Sequence, residues 1–119
     1  MDLNEIKTIG VVGAGTMGSG IASISALSGF DTIVYDITNE ILECSKRMVF
    51  DGYDKLVDKK KIEKSKRIEV ESKLLFSNDL KNLSSCNLVI EAAIEKLETK
   101  KEIFRKLDKI TYENTTLAT

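Results

Sequence analysis

Residues 8–18 read TIGVVGAGTMG and carry the strongest structural signal in the chain. The first half of this stretch is rich in β-branched residues, which predicts a short buried strand that stops at glycine. Gly13, Gly15 and Gly18 then follow the G-x-G-x-x-G spacing, and a helical pattern opens directly behind them. In a dinucleotide-binding turn the first glycine allows a tight bend, the second lets a pyrophosphate approach the backbone, and the third lets the helix lie close on the strand. The pyrophosphate then rests on N–H groups at the positive end of the helix.

The residues that follow extend this pattern to a second strand. Small and apolar residues recur at helical spacing and predict one buried helix face; they are Met17, Ile21, Ile24, Leu27 and Ser28. Gly29 is the expected helix end, and residues 32–35 predict the next strand. Asp36 comes 18 positions after Gly18, where an acidic side chain can bind the 2′-hydroxyl of an adenosine ribose. The alternative is a glycine-rich turn beside an ordinary surface aspartate, and the order of all these features argues against it.

The rest of the chain alternates helical and extended patterns. We predict a helix that starts near residue 39, a turn at 59–61, a helix to residue 72, strands at 74–76 and 88–92, a helix over 97–110 and a strand at 115–119. Strands alternating with helices predict an α/β fold of the Rossmann type, with a doubly wound, mostly parallel sheet. The helical pair between residues 39 and 72 is expected to project from it. At this length, one domain over 1–119 is expected.

The composition excludes several classes of function. A formal net charge of −1 gives no sign of nucleic-acid binding. No apolar run reaches membrane-spanning length and the first residues do not resemble a signal peptide, so we expect a cytoplasmic protein. Cys44 and Cys86 lack metal-ligand spacing and are expected to be reduced and partly buried, so we identify no metal site. The chain has no His, the commonest general base near neutral pH, and we identify no catalytic residue.

The strand at 88–92 leads into a second candidate functional stretch. In a doubly wound sheet this strand lies beside the first one, where strand order reverses and ligands bind beyond the carboxyl ends. Ala93 is small enough for close approach of a ring or a ribose, and Glu95 and Lys100 can reach ribose hydroxyls or the nicotinamide. A helix-entry loop with ordinary surface charges is an equally good interpretation. For the lysines at 59–61, a solvated face and a positive spot for a phosphorylated substrate both stay open.

Two separated stretches resemble one enzyme family. Residues 9–22, IGVVGAGTMGSGIA, resemble the N-terminus of 3-hydroxyacyl-CoA dehydrogenases, and are most similar to the bacterial 3-hydroxybutyryl-CoA dehydrogenases. Residues 88–101, LVIEAAIEKLETKK, resemble the second signature of the same family, and the resemblance spans essentially the whole chain. It implies an NAD-dependent enzyme that transfers a hydride between 3-hydroxyacyl-CoA and 3-ketoacyl-CoA in fatty acid or butanoate metabolism.

The resemblance also implies roles for individual residues. The family pattern places NAD against Gly13, Ala14, Gly15, Thr16, Met17, Gly18, Asp36, Glu95 and Lys100. Ala93 joins this set because of its small size and its place in the loop. It places CoA over the helical pair, where Gly52 and Lys59 stand at the positions of a small polar residue and a lysine. Gly52 has no side chain to donate a hydrogen bond, and Lys60 and Lys61 compete with Lys59 for the other role.

The same resemblance identifies what these 119 residues lack. In the family, an Asn-Thr-Ser segment, a catalytic His with a Glu partner and a C-terminal helical domain for substrate binding and dimerisation follow the last strand. The chain is therefore expected to be the NAD-binding half of the enzyme, catalytically incomplete alone, with NAD(H) and an acyl-CoA as ligands. An apolar surface left without its second domain predicts some self-association. The alternative is a stand-alone nucleotide-binding or structural module without turnover.

Overall fold

The computed structural model of the chain describes residues 6–92 and the strand at 116–118. The elements in chain order are β1 (Thr8–Val12), α1 (Thr16–Leu27), β2 (Asp31–Tyr35), α2 (Asn39–Asp58), α3 (Lys64–Glu71), β3 (Leu74–Ser77), a 3₁₀ helix (Leu80–Ser85), β4 (Leu88–Glu91) and β5 (Thr116–Ala118). The strands form one sheet in the order β3-β2-β1-β4-β5, and every pair in it is parallel. The predicted α/β, doubly wound fold is confirmed. The helix predicted over 97–110 lies outside the described residues.

Strand β1 lies at the centre of the sheet and sets its register. Val12 is opposite Tyr35 of β2 on one side and Glu91 of β4 on the other. The carboxyl ends of three strands therefore meet at one edge. The amino end of β1 is fixed by Asn87, whose Oδ1 accepts hydrogen bonds from the backbone N–H groups of Lys7 at 2.9 Å and Thr8 at 3.0 Å.

The two faces of the sheet carry different layers. Val11 and Val34 pack in the cluster that includes Ala22 of α1, whereas Val12 and Val89 pack with the 3₁₀ helix. The two sets alternate along the strands, as a pleated sheet requires. Gly10 faces the 3₁₀ layer, and a Cβ there would lie 2.8 Å from the side chain of Leu83 and 2.9 Å from Cys86 Sγ. Helices α1 and α2 thus cover one face and the 3₁₀ helix the other.

The buried face of α1 differs from the one predicted. Met17 and Ile24 belong to the predicted buried set, but their exposed fractions are 62% and 67%. The helix instead buries Gly18, Ser19, Ala22, Ser25 and Ala26. Small side chains let the helix axis approach the sheet closely, so the small-residue face makes the contact. Ile21 and Leu27 pack at its margins and are partly buried. The helix still begins and ends as predicted, with Gly29 at φ +100° just beyond its C-cap Ser28.

The helical pair predicted between residues 39 and 72 is present. Helix α2 runs without a break from Asn39 to Asp58, and α3 follows the turn at 59–61. Lys60 has a φ of +60°, a left-handed conformation that few non-glycine residues adopt. Arg67 of α3 donates to Asp54 of α2 at 3.0 Å, and its guanidinium lies 5.0 Å from the ring centroid of Phe50. Within the described part of the chain, no helix combines the length and apolarity needed to cross a bilayer.

Candidate cofactor-binding site

The glycine turn begins at the carboxyl end of β1 and closes against β2. Gly13 has a φ of +106°, in the region that side chains rarely tolerate. Its N–H donates to the carbonyl of Tyr35 at 2.8 Å, which holds the turn against the end of the neighbouring strand. The bend predicted at Gly13 therefore depends on glycine, because a Cβ would strain this backbone conformation.

The other two glycines of the motif meet opposite surroundings. A Cβ at Gly15 would meet no atom within 4 Å, so the space above its backbone is open to a ligand. A Cβ at Gly18 would lie 1.8 Å from the carbonyl oxygen of Gly13 and 3.4 Å from Val11 Cγ1. Gly18 thus lets the first turn of α1 lie directly on the glycine turn. These are the contacts expected if one glycine admits a ligand and the other admits the helix.

The N-terminus of α1 has the character of an anion-binding site. Gly15 is its N-cap and makes no side-chain capping hydrogen bond, and the first turn holds no acidic residue. The first N–H groups of a helix have no partner within the helix and lie at the positive end of its dipole. A phosphate group can accept these hydrogen bonds. Thr16 and Met17, both predicted as cofactor-binding, form this first turn and are exposed.

The predicted ribose-binding acid lies beside the glycine turn. Asp36 Oδ2 accepts a hydrogen bond from the N–H of Ala14 at 3.0 Å, and its Oδ1 accepts one from the N–H of Thr38 at 3.2 Å. Asp36 therefore joins the glycine turn to the segment that enters α2. It is partly exposed, so its carboxylate oxygens can also accept hydrogen bonds from ligand hydroxyls.

A buried serine pair supports the turn from below and was missed by sequence reasoning. Ser19 Oγ donates to the carbonyl of Ala14 at 3.2 Å, and it lies 2.6 Å from Ser45 Oγ of α2. Both side chains are 1% exposed. The available signal was the row of small residues along α1, which marks a close helix contact but does not identify the partner.

One buried carboxylate at the carboxyl edge of the sheet was also missed. Glu91 lies at the carboxyl end of β4 and is 2% exposed, whereas we expected an open cleft that leaves this carboxylate unburied, so that expectation is wrong. Cys86, in the 3₁₀ layer, is buried as expected, and this burial raises the pKa of its thiol to about 12. The uninterrupted apolar run before Glu91 was the signal for its burial.

The remaining predicted ligand residues lie away from the glycine turn or outside the described residues. Gly52 lies in the middle of α2 with open space around it, and Lys59 is exposed at the C-terminal end of that helix. Both residues belong to the helical pair, which packs against Ala26 of α1 through Val49, Tyr53 and Val70. Ala93, Glu95 and Lys100 lie outside the described residues.

The parallel sheet, with the glycine turn and Asp36 at its carboxyl edge, defines a dinucleotide-binding domain of the Rossmann type. A family model described as "3-hydroxyacyl-CoA dehydrogenase, NAD binding domain" matches residues 8–119. The chain therefore belongs to the 3-hydroxyacyl-CoA dehydrogenase family and is an NAD-binding domain of it. The family resemblance carried by residues 9–22 and 88–101 is confirmed, and so is NAD as the cofactor.

Individual relatives agree with this assignment. The chain is 37% identical over 102 residues to a 3-hydroxybutyryl-CoA dehydrogenase of Bradyrhizobium diazoefficiens, covering 86% of this chain and 35% of the relative. It is 37% identical over 119 residues to the mitochondrial hydroxyacyl-coenzyme A dehydrogenase of Rattus norvegicus, covering 95% of this chain and 38% of the relative. The crystal structure of (S)-3-hydroxybutyryl-CoA dehydrogenase from Ralstonia eutropha superposes with a TM-score of 0.89 at 31% identity, over 96% of this chain and 41% of that one. The chain thus spans roughly two fifths or less of each of these proteins.

Proposed function

We propose that this chain is the NAD-binding half of an enzyme that moves a hydride between 3-hydroxyacyl-CoA and 3-ketoacyl-CoA. The observation that carries the proposal is the glycine turn, where Gly15 leaves open space at the N-terminus of α1 and Asp36 lies alongside. Bound NAD supplies the hydride acceptor, and NADH the donor. Relatives named 3-hydroxybutyryl-CoA and hydroxyacyl-coenzyme A dehydrogenase support the choice of substrate class.

The cofactor would lie across the carboxyl edge of the sheet. Its pyrophosphate would accept hydrogen bonds at Gly15 and the first turn of α1, and its adenosine ribose would donate to Asp36. The carboxylate favours NAD(H) over the 2′-phosphorylated cofactor, because a second negative charge there is repelled. Ala93, Glu95 and Lys100 are proposed to contact the cofactor from the loop after β4.

The acyl-CoA is proposed to lie over the helical pair. Lys59, Lys60 and Lys61 give the turn between α2 and α3 three positive charges, which suit a phosphorylated substrate. Gly52 offers only open backbone surface, so a ligand there makes no side-chain hydrogen bond. We therefore assign the electrostatic part of CoA binding to the lysines, with Lys59 at the position that the family pattern favours.

Turnover is proposed to require a second polypeptide part. Oxidation of an alcohol needs a base that takes the hydroxyl proton, and the 119 residues contain no His. The enzyme would then be a cytoplasmic one of fatty acid or butanoate metabolism, with a C-terminal helical domain completing the substrate site. The outward-facing Met17 and Ile24 give α1 an uncharged outer surface, which supports some self-association of the chain alone.

The test is an assay with acetoacetyl-CoA and NADH on the purified chain, alone and mixed with the separately expressed C-terminal part of a relative. We expect NADH binding by the chain alone, and turnover only after mixing. Turnover by the chain alone would refute the requirement for a second part. NADH binding with no turnover in either arm would favour the second candidate function, a nucleotide-binding module without activity. The specific observation in favour of that candidate is the absence of His from the 119 residues. Failure to bind NADH would favour a structural role.

A further inference from the structure

The buried serine pair connects two parts of the molecule that have different roles. Ser19 stands in the first turn of α1, directly behind the glycine turn, whereas Ser45 belongs to α2. Their hydroxyl oxygens are 2.6 Å apart, and both side chains are 1% exposed. A hydrogen bond in such surroundings is shielded from competition with water, so it can hold the groups on either side in place.

The protons of the two hydroxyl groups give this contact a direction. Each serine has one O–H to donate. Ser19 uses its own for the carbonyl of Ala14, at 3.2 Å. The short contact must then be a hydrogen bond from Ser45 O–H to Ser19 Oγ. The chain runs from Ser45 through Ser19 to the Ala14 carbonyl, and each bond in such a chain polarises and strengthens the next.

The end of this chain is the peptide group that carries the N–H of Gly15. The peptide between Ala14 and Gly15 is planar and trans, so its C=O and its N–H point in opposite directions. Holding the Ala14 carbonyl toward the buried Ser19 therefore turns the Gly15 N–H the other way. The space beside the Gly15 Cα is also open, since a Cβ there would meet no atom within 4 Å.

We infer that Ser45 is a positioning residue for the cofactor, because through Ser19 it aims the N–H of Gly15 at the pyrophosphate. It acts from α2 without touching the ligand. The inference rests on the proposed placement of the pyrophosphate at Gly15. Loss of the Ser45 hydroxyl leaves Ser19 with one hydrogen bond fewer, and the peptide group of Ala14 and Gly15 loses part of its restraint.

The test compares serine-to-alanine substitutions by titration with NADH and by thermal melting. Ser45→Ala is expected to weaken NADH binding about three- to tenfold, the range for one hydrogen bond. Ser25→Ala is the matched control, because Ser25 is also buried in α1 but donates to Ile21 in its own helix at 2.9 Å. It should lower the melting temperature to a similar extent and leave NADH affinity unchanged.

A double-mutant cycle separates positioning from packing. If Ser45 acts through Ser19, then Ser19→Ala alone weakens NADH binding and Ser45→Ala adds nothing to it, whereas independent packing effects add. The amide resonance of Gly15 in a ¹⁵N correlation spectrum should also shift in Ser45→Ala without ligand.

Three results would overturn the inference. One is equal NADH affinity in the parent and Ser45→Ala, another is an equal loss of affinity in Ser25→Ala, and the third is additivity in the cycle. If the parent binds no NADH at all, the proposed function fails together with this inference. If the parent binds NADH and Ser45→Ala matches it, only the inference fails.

Discussion

The carboxylate of Asp36 accepts a hydrogen bond from the backbone N–H of Ala14 at 3.0 Å, across 22 positions of sequence. The contact makes Asp36 both a candidate ligand for the ribose and a support for the turn that we propose binds the pyrophosphate. Two functions that sequence motifs treat as separate therefore depend on one side chain. Substitutions at Asp36 should change stability and cofactor choice together.

Asp36→Ala is expected to weaken NADH binding at least about tenfold and to reduce the preference for NADH over NADPH. The first effect follows from the loss of a charged acceptor, worth about 1.5–3 kcal/mol, and the second from the loss of charge repulsion. The free energy of unfolding should fall by about 1–2 kcal/mol, because the N–H of Ala14 loses its partner. Paired titrations with NADH and NADPH, with urea unfolding, measure both.

Asp31→Ala is the control for Asp36, since Asp31 is exposed at the opposite end of the same strand. It should leave both affinities unchanged. Equal or tighter binding of NADPH than NADH by the unsubstituted chain would contradict the assignment of Asp36 to the ribose.

Alanine at three glycines should give three different outcomes. Gly15→Ala is expected to retain the fold and to lose NADH affinity about tenfold or more, because its Cβ occupies the open approach to the backbone. Gly18→Ala should destabilise the fold by about 3 kcal/mol, because its Cβ overlaps the carbonyl of Gly13. Gly20→Ala is the control in the same helix. It has nothing within 4 Å, and it should raise stability by up to about 1 kcal/mol. Calorimetric melting and NADH titration of the three variants would contradict this account if Gly15→Ala and Gly18→Ala behaved alike.

Arg67 should determine how firmly α3 is attached. Its guanidinium bonds to Asp54 and Glu71 and lies over the ring of Phe50. These partners are largely solvent-exposed, so Arg67→Ala should lower the free energy of unfolding by only about 1 kcal/mol. Amide hydrogen exchange in α3 should nevertheless accelerate more than exchange in β1. Lys66→Ala, which removes an exposed pair with Glu69 at 3.9 Å, is the control and should change neither. Uniform exchange changes across the chain would count against a local role.

The two cysteines should differ sharply in reactivity. Burial raises the pKa of Cys86 to about 12, so its thiol is protonated at neutral pH, whereas Cys44 is exposed. At pH 8 a thiol reagent should modify one cysteine quickly, and Cys44→Ser should abolish this fast phase. Modification of Cys86 should require unfolding. Two fast equivalents in the native chain would disagree with the packing around Gly10.

Stability should fall at alkaline pH for the same reason. The pKa of Cys86 in the folded chain lies above its ordinary value of 9.0. The stabilising contribution of the Cys86 thiol to the free energy of unfolding is therefore complete below pH 9. As the pH rises toward about 12, this contribution is lost by about 1.4 kcal/mol per pH unit, because the thiol ionises more readily in the unfolded chain. Burial also raises the pKa of Tyr53 above 10.0, which adds to the loss in the upper part of this range. In urea unfolding at several pH values, the free energy of unfolding should depend less on pH in Cys86→Ala than in the parent chain. In Cys44→Ala its pH dependence should be unchanged.

The sequence predicted the parts of this molecule that depend on local rules. Gly13 needs a backbone angle that side chains exclude, and Asp36 ends a short strand, so both could be located by spacing. The turn at 59–61 was also predicted, from the charge run that interrupts the apolar pattern, although Lys60 adopts a left-handed angle without being glycine.

The parts that were missed depend on contacts between distant segments. Periodicity showed that α1 has an apolar side, but its neighbours decide which side packs. Ala22 packs on the sheet and Ala26 packs against α2 and α3, while Ile24 is left exposed. The row of small residues along α1 indicates a close helix contact, but it does not identify Ser45 as the partner of Ser19, because serine is also common on exposed surfaces. Only the docking of α2 against α1 brings these two hydroxyls together.

The central position of β1 in the sheet also has a consequence for the synthesis of the protein. The N–H of Thr8 donates to a side chain 79 positions later, and β4 follows directly after that residue. At synthesis rates of about 5–20 residues per second, β4 is synthesised several seconds after β1. The edge of β1 that pairs with β4 is therefore unpaired during that time. An unpaired strand edge invites pairing with other chains during that interval. Nascent chains that stall before residue 88 should therefore aggregate, and slowing translation upstream of β4 should lower the yield of native protein.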